Sequence, residues 1–167
     1  MNIVLKMQRV FVYGTLKKGQ PNHHLISGGI ESGDCRVEGV GVTEAKYPLI
    51  VTTRYNVPFL LDAPNARNAV NVEGEVYNVN DKMMEILDDL EAHPTFYTRS
   101  QIPIIFQDKS EKMWCYLMKN FRQDVLQLPM YSKYDFKARG TYVGRADRPP
   151  GKEEAMAYRA EIKENVS

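Results

Sequence analysis

Val72-Glu73-Gly74-Glu75-Val76-Tyr77-Asn78-Val79-Asn80-Asp81-Lys82-Met83-Met84-Glu85-Ile86-Leu87-Asp88-Asp89-Leu90-Glu91 reads as a strand feeding a helix. Apolar and polar residues alternate up to Val79, as in a half-buried strand. Asn80 then offers an N-cap, and His93-Pro94 closes the helical segment. At roughly 100° per residue, Met83, Met84, Ile86, Leu87 and Leu90 fall on one side of the helix. Asp81, Lys82, Glu85, Asp88 and Asp89 fall on the other, as a solvated face. Glu91 does not join them, because its direction lies between Leu87 and Met84 on the apolar stripe. A carboxylate aimed into a core is costly unless paired, so it shifts its pKa or has a function. That makes Glu91 a candidate general acid/base. The competing reading is a helix-end carboxylate that bends back to water or pairs with Arg99.

Outward from this unit the chain alternates short strands with two further helical segments. Arg9 to Tyr13 is a continuous β-branched and aromatic run that stops at Gly14, which predicts a buried strand. A polar loop with Gly19 and Pro21 follows, then a short helix from His23 to Ile30 ended by Gly28-Gly29. Three strand-like runs come next, Cys35 to Thr43, Pro48 to Thr52 and Pro58 to Leu61, before a Pro-, Asn- and Ala-rich loop at 62–71. Beyond the central helix, Tyr97 to Phe106 and Lys112 to Lys119 read as a hairpin joined by Gln107 to Glu111. Lys152 to Asn165 reads as a charged terminal helix or a tail. The pattern is α+β, a mixed sheet able to curl into a small barrel. The expected organisation is an N-terminal extension at 1–8, one domain at 9–147, and a C-terminal tail or short helix at 148–167.

The bulk numbers narrow the function. The chain has 167 residues, enough for one domain with a real core, and 43% of them are hydrophobic. With 22 Lys+Arg against 21 Asp+Glu, no charge excess calls for nucleic acid or a membrane surface. Cys35 and Cys115 stand far apart outside any CxxC or His/Cys pairing, so they form neither a disulfide framework nor a zinc site, and they read as small buried hydrophobes. Met1 to Lys6 is too short for a secretory apolar region, which predicts a reduced, cytoplasmic protein. Asn165-Val166-Ser167 matches a glycosylation sequon, of little weight without a secretory signal.

A second candidate site is Tyr13-Gly14-Thr15-Leu16-Lys17-Lys18-Gly19. A strand that ends in Tyr-Gly and turns at once presents successive backbone N–H groups, and such a nest suits a carboxylate, phosphate or oxyanion. No Gly-Lys-Ser/Thr closes it, so it is not a P-loop, and an ordinary strand-to-loop turn is the plainer alternative. His23 and His24 diverge on a helix, so at most one faces any site. Asp88, Asp89, Glu91 and His93 point in directions too different to share a metal ion. Tyr97 either donates a phenol hydrogen bond to a site carboxylate or fills the core.

Val10 to His23, with Tyr13-Gly14-Thr15-Leu16 at its centre, closely resembles the opening of the γ-glutamylamine cyclotransferases of the AIG2-like γ-glutamylcyclotransferase family. Tyr47 to Ile50, Asn56 to Leu61, Val72 to Tyr77, Leu87 to Glu91 and Tyr97 to Arg99 match further segments in order, so the likeness spans roughly residues 9 to 120. It implies a small closed mixed β-barrel with flanking helices. It also implies that the Tyr13–Leu16 loop binds the γ-glutamyl group and that Glu91 is the proton acceptor and donor. The implied activity converts γ-glutamyl amines such as γ-glutamyl-ε-lysine to 5-oxoproline and the free amine, with no cofactor or metal. The expected partner is that small molecule alone, and a monomer is favoured. Rival readings are a cyclotransferase for γ-glutamyl amino acids or glutathione, and a non-catalytic small-ligand module. Tyr131 to Ser167 departs from the pattern, as does Ala92 to Phe96, and both regions could shape the pocket for the leaving amine.

Overall fold

The structure, a computed structural model, describes residues 6–164. Residues 1–5 and the sequon at 165–167 lie outside the described part. The elements run β1 (Gln8–Val12), α1 (His23–Ser32), β2 (Cys35–Thr43), β3 (Leu49–Thr52), β4 (Val57–Leu60), β5 (Glu73–Val79), α2 (Asp81–Leu90), β6 (Thr98–Phe106), β7 (Lys109–Leu117) and α3 (Lys152–Ala160). Five strands close a barrel in the order β1-β5-β2-β6-β7, and β3 and β4 form a separate antiparallel hairpin. The barrel closes where β1 meets β7 in parallel, Val10 against Trp114. This is the mixed closed barrel with flanking helices that the family resemblance implies, and it agrees with the α+β pattern of the strands. Among the described residues no helix is long and apolar enough to cross a membrane.

Strand periodicity divides the core in two, because successive side chains point to opposite faces. Phe11, Val76, Ile104, Met113, Cys115 and Leu117 form one buried cluster. Their neighbours Val10, Val12, Tyr77, Val79 and Tyr116 form another with Ile26 of α1 and Met83, Met84 and Leu87 of α2. Helices α1 and α2 therefore cover one side of the barrel. Gly74 makes the β1–β5 contact possible, since a Cβ there would lie 2.4 Å from the Val12 carbonyl oxygen and 2.6 Å from Phe11 Cζ.

Several local expectations need correction. Gly28-Gly29 does not end α1, which continues to Ser32 and stops at Gly33 in the left-handed conformation (φ 82°). Gly29 is instead a packing residue, because a Cβ there would sit 2.7 Å from Met83 Sδ. The β6–β7 connection is a two-residue turn rather than a five-residue loop. Gln107 and Asp108 both take positive φ (50° and 62°), the backbone of a type I′ turn, so β7 starts at Lys109. Strands β3 and β4 are each shifted one residue from the predicted starts. Ile86 is 40% exposed, because it stands at the margin of the α2 stripe rather than within it.

Candidate active site

The site grows from the two ends predicted to carry it. At the first, β1 runs into Tyr13-Gly14-Thr15-Leu16, and the turn spends its carbonyls internally. Gly14 O accepts from Lys17 N at 3.2 Å and Thr15 O accepts from Asn22 N at 2.8 Å. Leu16 O accepts from His23 Nδ1–H at 2.9 Å, so His23 braces the turn while His24 is exposed. Among the described residues, no acceptor takes the N–H groups of Gly14, Thr15 or Leu16. Three donors in succession without an acceptor are what an anion-binding concavity requires. Packing at Gly14 is tight: a Cβ would stand 3.0 Å from Pro58 Cγ, so the proline ring would have to give way. Lys17 lies buried beneath the turn and donates to the Tyr134 carbonyl at 2.7 Å.

At the second end, Asn80 caps α2, its Oδ1 accepting from Met83 N at 3.0 Å. The helix stops in a double hydrogen bond, Ala92 N to Asp89 O (3.2 Å) and His93 N to Asp88 O (2.9 Å). This is the Schellman arrangement, which wants a left-handed residue just after the cap and favours glycine there. Here Ala92 takes that role at φ 50°. Backbone strain therefore sits beside Glu91, the cap residue itself.

Glu91 opens onto a cavity of about 210 Å³ that is also lined by Gly14, Thr15 and Leu16. Both predicted ends thus meet in one hollow. Burial pushes the Glu91 carboxyl up to about 7, and the Arg145 guanidinium opposes that rise. Glu91 is not paired with Arg99. That arginine binds Asp88 by two hydrogen bonds, Nε to Oδ1 at 2.9 Å and Nη2 to Oδ2 at 3.2 Å. Asp88 also accepts from the Tyr116 hydroxyl at 2.7 Å, so it is a structural anchor and not part of a solvated face. Burial works to raise its carboxyl, but the bonds from Arg99 and Tyr116 outweigh burial and hold it below the usual value. His93 accepts through Nδ1 from the Arg99 backbone at 3.0 Å. Among the described residues no group of three or more His, Cys, Asp or Glu converges as metal ligands.

The aromatic walls are fixed by their own hydroxyls. Tyr13 donates to the Tyr116 carbonyl at 2.6 Å, and Tyr97 donates to the Pro58 carbonyl at 3.0 Å. Tyr97 therefore faces the cavity with its ring, stacked on Phe59 at 5.5 Å, while its phenol is engaged elsewhere. Burial raises the Tyr13 and Tyr97 phenols and both cysteine thiols, so none of these groups supplies an anion near neutral pH.

The sequence marked 131–167 as able to shape the pocket, but it singled out neither the residues there that do so nor Asn22. Asn22 Nδ2 lies 2.9 Å from Thr15 Oγ1 and 3.1 Å from the Tyr142 hydroxyl, joining the turn to the C-terminal segment. Tyr142, Arg145, Arg148, Tyr158 and Arg159 close the cavity from that segment. The signal was present as three arginines and two tyrosines within eighteen residues (142–159) of an otherwise polar stretch, but no periodicity tied them to the barrel.

The family model for gamma-glutamyl cyclotransferase, AIG2-like, matches residues 10–138. The chain belongs to this family. Among relatives of this cyclotransferase-family chain is a Drosophila melanogaster protein provisionally named gamma-glutamylcyclotransferase. It is 41% identical over 151 residues, 90% of this chain and 94% of the relative. The human protein named gamma-glutamylaminecyclotransferase is 35% identical over 141 residues, covering 77% of this chain and 90% of its own. The crystal structure of a mouse AIG2-like protein superimposes with a TM-score of 0.78 at 32% identity, over 85% of this chain and 99% of that one. The family match ends at residue 138, so the wall from Tyr142 to Arg159 lies beyond it.

The raised Glu91 pKa has a consequence for stability. Between the usual carboxyl value of 4.5 and about 7, the folded chain holds a proton that the unfolded chain has released. Stability from this group is therefore fully present at low pH and lost as pH rises through 7. The cost of the ionised carboxylate at pH 8 is up to about 3 kcal/mol. Glu91→Gln should raise the urea midpoint at pH 8 and leave it nearly unchanged at pH 4.5. A difference independent of pH would contradict the burial of this carboxyl.

Proposed function

We propose that the protein is a γ-glutamylamine cyclotransferase, converting compounds such as γ-glutamyl-ε-lysine to 5-oxoproline and the free amine. The observation that carries this reading is the meeting of Glu91 and the unoccupied N–H groups of Gly14, Thr15 and Leu16 in one cavity. The substrate's α-amine attacks its own γ-amide carbonyl, forming the lactam C–N bond, and the original amide C–N bond breaks. Because nucleophile and electrophile share one molecule, orientation alone can supply an effective molarity of about 10⁵–10⁸ M.

What remains is proton traffic. The α-nitrogen gives up two protons in passing from ammonium to lactam N–H. The departing nitrogen gains two in passing from amide N–H to ammonium. A carboxyl group between them relays each in turn, and a pKa of about 7 suits both directions at neutral pH. The Gly14–Leu16 amides hold the substrate α-carboxylate or the developing oxyanion. Tyr97 contributes a ring wall rather than a hydrogen bond. The same reading favours a monomeric active unit and a cytoplasmic protein, a setting in which Cys35 and Cys115 stay as free buried thiols.

The test is 5-oxoproline release from γ-glutamyl-ε-lysine, γ-glutamyl-alanine and glutathione, side by side. The expected result is the highest kcat/KM with the first, rising with pH through an apparent pKa near 7 as Glu91 ionises. Absence of 5-oxoproline from all three would reject the proposal.

A further inference from the structure

The acidic and basic residues around the cavity are badly matched. Glu91 is its single acidic lining residue among the described residues, whereas Arg145, Arg148 and Arg159 all line it. Elsewhere arginines find carboxylates: Arg9 with Glu111, Arg54 with Glu154 and Glu161, Arg99 with Asp88, Arg122 with Asp124. The three cavity arginines have no such ion pair among the described residues. Each is nevertheless held in place by something other than an anion. Arg145 Nη2 donates to the Leu90 carbonyl at the end of α2. Arg148 Nε donates to Val143 O at 2.9 Å, and its guanidinium lies 4.6 Å from the Tyr55 ring centroid and 5.0 Å from that of Tyr158. Arg159 lies 5.1 Å from the centre of the Phe96 ring. A guanidinium carries five N–H donors, so most of these remain free.

Glu91 feels the charge of Arg145 but pairs with none of the three within ion-pair distance, and positioned cations with free donors are a receptor for a planar anion. The Gly14–Leu16 amides already provide for the γ-glutamyl end. The arginines come instead from the segment 145–159, where Arg145 contacts Leu90, next to Glu91, and Arg159 lies over Phe96. We propose that Arg145, Arg148 and Arg159 form a carboxylate subsite for the leaving amine, so that the protein selects γ-glutamyl compounds whose departing amine is an amino acid over those releasing a neutral or cationic amine. This rests on the cyclotransferase reading and names its substrate class.

One pair of compounds isolates the claim. In γ-glutamyl-ε-lysine and the γ-glutamyl amide of 1,5-diaminopentane, the γ-glutamyl group and alkyl chain are identical, and only the leaving-group carboxylate differs. With the intact protein, kcat/KM for 5-oxoproline release should favour the lysine compound by about tenfold to a hundredfold, the usual worth of a charge-assisted hydrogen bond. That ratio should fall toward one in Arg145→Ala and Arg159→Ala. Equal use of both compounds by the intact protein overturns the subsite, as does a ratio that survives both substitutions. Calorimetry of the two compounds with the Glu91→Gln protein separates the questions. A binding preference without any turnover by the intact protein would retain the subsite and reject the cyclotransferase reading. Equal binding would reject the subsite.

Discussion

Glu91→Gln is expected to lower kcat for 5-oxoproline formation by roughly a thousandfold, within the 10²–10⁴ range of general acid–base catalysis. Glutamine keeps the shape of the side chain and can sit on the same α2 stripe beside Leu87 and Met84. It can neither take a proton from an ammonium nor return one to a departing nitrogen. The amides of Gly14 to Leu16 do not depend on that carboxyl, so affinity for substrate should change little. Some turnover should persist, because the tethered amine remains oriented toward its own carbonyl. The loss belongs in kcat, read from initial rates against substrate concentration. A variant with near-normal kcat would remove Glu91 from the proton relay, and one whose loss lay wholly in KM would make it a binding group.

Gly74→Ala should produce the largest structural effect, a destabilisation of about 3 kcal/mol or more. The added methyl meets a backbone carbonyl at 2.4 Å and the Phe11 ring at 2.6–2.7 Å. Neither can yield cheaply. Val12 is paired with Glu75 in the β1–β5 ladder, and Phe11 is 1% exposed in the core. Any shift of Val12 is passed directly to Tyr13 and Gly14, so catalysis should weaken along with stability. Gly28→Ala is the matched control, since nothing lies within 4 Å of its Cβ position on the exposed side of α1. There, replacing glycine inside a helix should stabilise by about 0.5–1 kcal/mol. Urea unfolding of both variants checks the pair, and a Gly74→Ala cost below about 1 kcal/mol would contradict the tight contact.

The parts of this molecule legible in its sequence are those where one local rule operates without competition. The α2 cap at Asn80, the β2 boundaries and the apolar placement of Glu91 follow from side-chain chemistry and period, and each appears where the pattern puts it. Failures occur where a tertiary contact overrides the local rule. Gly28-Gly29 looks like a helix stop, yet Gly29 serves the approach of α1 to Met83. Asp88 belongs to the polar face by its angle, but Arg99 arrives from β6 and Tyr116 from β7 to pair with it. Gln107-Asp108 carries no glycine to announce a turn with positive φ at both positions. The arginines at 145, 148 and 159 were least legible of all. Their common feature is a cavity wall built by docking 142–159 against Tyr55 and Phe96, and no spacing along the chain encodes that.

Catalysis by this site depends on the protonation of one side chain near neutral pH. Carbon-13 NMR titration of glutamate-labelled protein, with the Glu91 signal assigned by its loss in Glu91→Gln, measures that directly. The predicted result is a carboxyl midpoint near 7 that coincides with the rising limb of kcat/KM against pH. A midpoint between 4 and 5, the range of a solvated glutamate, would contradict the enclosed carboxyl and with it the single-residue relay.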